Sequence, residues 1–65
     1  MNIEWTLCSE RIPPDDRDSI VKNYDGSFIH VVASKAHSFT VDYLLKNFAC
    51  EWTEYTQEKW EFLNR

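Results

Sequence analysis

Four side chains in this sequence are of the kinds that hold transition metals or act as nucleophile and base: Cys8, His30, His37 and Cys50. Two thiols and two imidazoles are the right inventory for a tetrahedral zinc centre. Such centres draw their ligands in close pairs, however, because one tight turn then aims two donors at the same ion. Here 21, 6 and 12 residues separate successive candidates, a spacing that supplies no such pair. A thiol nucleophile needs a base or a cation beside it to lower its pKa. Glu51 follows Cys50 and Glu10 lies close to Cys8, so the neighbouring charges work the other way. The cysteines therefore read as reduced thiols that serve as small apolar residues, and His30 as a half-exposed packing residue.

Carboxylates are the next candidates. Asp15, Asp16 and Asp18 cluster in a polar stretch, but a calcium loop needs a regular ligand pattern, a glycine at its bend and a closing bidentate acid, and none follows. One glycine in 65 residues leaves no phosphate-cradling loop. The expectation is a protein without catalytic residues, metal or cofactor.

The elements that would carry these residues follow from periodicity. Over residues 2–9, Ile3, Trp5 and Leu7 alternate with polar residues, which is the period of a strand with one buried face. Pro13 and Pro14 then remove backbone donors and mark residues 9–18 as a long loop. Two β-branched or aromatic runs, 19–24 and 27–33, flank Asp25-Gly26, which suits a two-residue type I′ turn. That turn would set Tyr24 against Ser27, Lys22 against Ile29, Ile20 against Val31, Asn23 against Phe28 and Val21 against His30. The second run is the more apolar, so it is expected at the centre of the sheet, under a helix.

Val41, Leu44, Leu45 and Phe48 fall on one helical face with Thr40 as cap, although Phe39, Val41, Tyr43 and Leu45 also alternate as a strand would. Residues 49–55 read as a strand returning to the hairpin. Thr56 can cap a last helix over 57–63, which is too short to stand alone and must dock through Trp60 and Leu63. The architecture expected is α+β: one domain over residues 1–65, a small antiparallel sheet built on a β-hairpin with one or two short helices packed against it.

Composition narrows the function classes. Seven basic and eleven acidic residues leave a net charge of −4, with no basic stripe to neutralise phosphates, so direct nucleic-acid binding is not expected. No apolar run approaches the roughly 20 residues that cross a bilayer, and the opening residues lack the pattern of a signal peptide. The setting expected is cytoplasmic. Aromatic residues make up 15% of the chain, enough to build a core in a domain this small.

The C-terminal series Trp52, Tyr55, Trp60 and Phe62 sits among Glu51, Glu54, Glu58 and Glu61. If Trp60 and Leu63 dock inward, Phe62 points elsewhere, at about 100° per residue. Phe62, with Glu54, Glu58 and Glu61, is then the candidate partner-binding surface, an aromatic anchor with an acidic rim. The alternative is an acidic DNA mimic in which Asp15, Asp16, Asp18, Glu54, Glu58 and Glu61 imitate phosphates and occupy a DNA-binding host protein. A homodimer is also open to so small a domain, which gains stability by pairing.

The opening Trp5-Thr6-Leu7-Cys8-Ser9-Glu10-Arg11-Ile12-Pro13, the Gly turn at Asp25-Gly26 and the closing Trp52 resemble a family of short prophage-encoded proteins of enterobacteria that have no assigned function. That family often has His before its closing Trp, where this chain has Glu51. The resemblance implies a phage accessory protein made in the host cytoplasm, acting on a host or phage protein, and it supplies no catalytic residue.

Overall fold

The computed structural model describes residues 1–14, 16–33 and 49–65. Four strands and one helix account for the regular structure among them: β1 (Thr6–Leu7), β2 (Ser19–Asn23), β3 (Phe28–Val31), β4 (Ala49–Glu54) and α1 (Gln57–Leu63). The strands form one sheet in the order β1-β4-β2-β3, every neighbouring pair antiparallel. This is the small α+β fold that the patterning predicts. The helix-or-strand alternative at residues 39–48 lies outside the described residues, as do Asp15, His37 and the side chain of Cys50.

The β2–β3 hairpin forms, but its turn differs from the expectation. Type I′ geometry would put Asp25 at positive φ, and Gly26, at φ 87°, is the one described residue there. The loop is three residues long, Tyr24-Asp25-Gly26, closed by Asn23 N–H donating to the Ser27 carbonyl at 2.9 Å and by Gly26 N–H donating to Asn23 at 3.0 Å. The Asp25 carboxylate selects this form, because it accepts from the Ser27 amide at 2.9 Å and the Ser27 hydroxyl at 2.6 Å. One extra loop residue moves the register by one. Lys22 meets Phe28, Val21 meets Ile29, Ile20 meets His30 and Ser19 meets Val31.

Strand order corrects a second expectation. Among the described strands the more apolar β3 lies at an edge, and β2 is the inner one, flanked by β3 and β4. Ser19, Ile20 and Val21 are its three buried residues, so β2 is covered on both faces. The opening strand is also shorter than its alternation suggested. Only Thr6 and Leu7 pair, with Trp52 and Glu51 of β4. On β4 the partners of Lys22 and Asn23 are Glu51 and Ala49, which leaves Cys50 as the extra residue of a β-bulge.

Alternation sorts the side chains onto two faces. On the first, Cys8, Val21 and Trp52 form the buried cluster, with Ile12 and Val31 packed against it. The proline-bearing loop closes over this face, where Pro13 is buried and the Trp52 indole N–H donates to the Arg11 carbonyl at 2.6 Å. On the second face lie Ile20, Thr53 and His30, and here α1 docks. Trp5 covers the far end of that face, stacked on Phe28 at 5.9 Å with the Lys22 ammonium 5.0 Å from its ring centre.

Candidate interaction surface

α1 begins where the sequence places it. The Thr56 hydroxyl accepts from the Lys59 amide at 3.1 Å and so satisfies one of the donors left open in the first turn. Seven residues cannot hold a helix in water, and none of the seven is buried. The helix is held instead at three points on its inner side. Lys59 Nζ donates to the Thr53 hydroxyl at 3.2 Å and the Glu54 carbonyl at 3.1 Å. Trp60 lies against His30 and Tyr55, with ring centres 5.7 and 6.4 Å away. Leu63 completes the half-buried side.

Beneath the helix is a group that no local pattern announces. Asp18, at the entrance to β2, ties three elements together. One carboxylate oxygen accepts from the Ala33 amide at 2.8 Å and the other from His30 Nε2 at 2.9 Å. An ionised carboxylate only accepts, so Nε2 carries the proton. The His30 ring stacks on Tyr55 at 3.9 Å and 2° between planes, and the Tyr55 hydroxyl donates to Gln57 Oε1 at 2.6 Å, in the first turn of α1. The dyad thus joins the end of β3 to the start of the helix. His30 also departs from expectation in its partner: it faces Ile20, not Val21, a consequence of the register.

The Ala33 amide, then the His30 hydrogen bond, hold the Asp18 carboxyl below the usual carboxylate range. A folded-state pKa below the unfolded one means that the ionised form is favoured by folding. The contribution is fully present above about pH 4 and is lost as pH falls through the depressed value. Urea midpoints measured from neutral pH downward should therefore fall in acid for the native chain and fall less for Asp18→Asn. Equal acid slopes would remove Asp18 from this role. Asp25, held low by the Ser27 hydroxyl and amide, supplies a residual slope to both.

The outer side of α1 carries most of the candidate surface. At about 100° per residue, Glu58, Glu61, Phe62 and Arg65 fall on one stripe opposite Lys59, Trp60 and Leu63. Phe62 is 37% exposed, and the Arg65 guanidinium lies 5.5 Å from its ring centre. Glu58 is exposed, and Glu61 accepts from Gln57 Nε2 at 3.1 Å. Glu54 is not part of the stripe. It ends β4, where its carboxylate meets Arg17 at 3.7 Å across an exposed pair worth little in water.

Elsewhere the chemistry-bearing residues are dispersed. Cys8 lies in the first-face cluster while His30 lies on the second face, so the sheet separates them. Among the described residues no three His, Cys, Asp or Glu side chains gather as a metal site would require. Of the acidic set suited to DNA mimicry, Asp18 has both oxygens bonded within the fold, while Asp16 is exposed. A cleft of about 320 Å³ beside Trp52 is lined by Arg11 and Arg17 and by Asp18 and Glu54, charges that cancel. No described helix is long and apolar enough to cross a membrane. Comparison with protein-family models, with curated proteins and with solved structures finds no match.

Proposed function

We propose that this protein is a phage or prophage accessory protein that works in the host cytoplasm, without catalysis, by binding a host or phage protein through the outer stripe of α1. The observation that carries the reading is the make-up of that stripe. An exposed aromatic ring shares a stripe with two carboxylates on a helix that buries none of its own residues, and the helix's lysine is committed to the sheet. An apolar anchor with a charged rim is the usual composition of an interaction hot spot. The excess of carboxylate on the stripe and on the whole chain suits a basic partner. The setting is the one implied by the resemblance of residues 5–13 and Trp52 to short prophage proteins.

Affinity capture from an expressing bacterial lysate tests it, with the native chain and Phe62→Ala in parallel. The variant should keep its circular dichroism and lose the captured protein by about 30-fold, the effect of truncating a hot-spot residue worth about 2 kcal/mol. Capture by both chains alike, or by neither at low salt, counts against the reading. A partner that is released by salt and displaced by DNA would support mimicry in its place.

A further inference from the structure

Among the described residues β3 is a terminal strand of the sheet, and its hydrogen-bonding parity is set by the turn. Because Asn23 and Ser27 are hydrogen-bonded partners, alternation gives the bonded pairs of β2 and β3 to Val21/Ile29 and Ser19/Val31. The N–H and C=O groups of Phe28 and His30 therefore point out of the sheet.

Proteins blunt such edges with lysine, proline, a bulge or brevity. The opposite edge is blunted by brevity, since β1 has two residues. β3 is twice as long as β1, and with its continuation, Phe28-Ile29-His30-Val31-Val32, it contains no lysine, proline or bulge and no acidic or basic residue other than His30. Ile29 is 46% exposed and Val32 is 63% exposed.

We propose that this edge pairs antiparallel with the same edge of a second copy of the chain, about a two-fold axis at His30, joining two four-stranded sheets into one of eight. The pattern of the strand selects a second copy as the occupant. With His30 opposite His30 of the second copy, Ile29 faces Val31 and Phe28 faces Val32, so every apolar side chain on the edge gains an apolar partner. The His30 pair is of the hydrogen-bonded type, in which both residues exchange N–H and C=O. Charge points the same way. Two chains of net charge −4 repel, and this strip carries no carboxylate to oppose its own image. An interface five residues long lies below the roughly 1,200 Å² of standard complexes, so the association is micromolar, and salt tightens it by screening the repulsion.

Sedimentation equilibrium of the full chain over about 5 to 500 µM should show the mass rising from 7.8 kDa toward twice that value, with a higher dimer fraction at high salt. Hydrogen exchange over the same range fixes the register. The amides of Phe28 and His30 should slow as concentration rises, and those of Ile29 and Val31, already bonded to β2, should not. Val32→Lys alters a side chain that is already exposed and should weaken association at least tenfold with unchanged circular dichroism. Phe62→Ala should leave association unchanged, which separates this interface from α1. A monomer mass at every concentration overturns the proposal, as does a dimer whose β3 amides do not respond or that Val32→Lys leaves intact.

Discussion

Trp52→Ala should leave the protein largely unfolded at room temperature. The side chain is 7% exposed at the centre of the first-face cluster with Cys8 and Val21, and Ile12 and Val31 pack onto that cluster. Removing a buried indole costs about 3–5 kcal/mol in transfer and cavity terms. A domain of this size holds about 3–5 kcal/mol in total, so the loss consumes it. The damage is also specific. The indole N–H is the tie to the Arg11 carbonyl, and the Arg11 guanidinium lies 5.5 Å from the ring centre, so the loop that covers this face loses its anchor along with its floor. Trp52→Phe separates the two effects. It keeps an aromatic ring and gives up the hydrogen bond, for about 1 kcal/mol plus the smaller ring's packing deficit. Urea melts followed by far-ultraviolet circular dichroism would show no cooperative transition for Trp52→Ala and a shifted one for Trp52→Phe. A Trp52→Ala midpoint close to the native one would mean that the loop face contributes little.

Ile20→Ala should be nearly as damaging through the other face. Ile20 is fully buried at 0% exposure, between His30 on β3 and Thr53 on β4. Truncation of a buried isoleucine costs about 2–5 kcal/mol, and Ile20→Val, which deletes one methyl group, about 0.5–1.5 kcal/mol. The two variants should therefore be graded: a small midpoint shift for valine and loss of most of the native population for alanine. Ile20 lies under the face on which α1 docks. Where native population remains, the ring signals of Tyr55 and Trp60 should therefore move in Ile20→Ala and keep their positions in Trp52→Phe. Identical shifts in both variants would show that the faces do not act separately.

Much of the fold was legible from short-range signals. The last helix was, because a threonine cap and a one-sided apolar pair act within four residues. The hairpin and the returning strand were as well, since alternation and an Asp-Gly bend are local. The turn was not. Asp25-Gly26 is compatible with a two-residue loop and with a three-residue one, and the choice rests on the Asp25 carboxylate capturing the Ser27 amide and hydroxyl. That one residue repaired every pair between β2 and β3. Strand order escapes local signals for a related reason. Hydrophobic content ranked β3 above β2, but centrality depends on which edge β4 joins, and β4 joins β2.

The candidate surface divides the same way. Phe62, Glu58 and Glu61 are on one helix, so their shared stripe could be counted from spacing alone. Glu54 sits at the end of a strand, and no spacing rule relates it to them. The Asp18–His30 contact spans β2, the turn and the first half of β3, and nothing near either residue signals it.

By itself the sequence determined the fold class, the position and cap of α1, the hairpin and the charge of the surface, because each depends on interactions between residues a few positions apart. Only the tertiary structure decided the register, the order β1-β4-β2-β3 of the described strands and the seating of His30 between Asp18 and Tyr55. Those features are set by which distant segments meet, and that outcome is a balance over the whole sheet, beyond the reach of any local pattern.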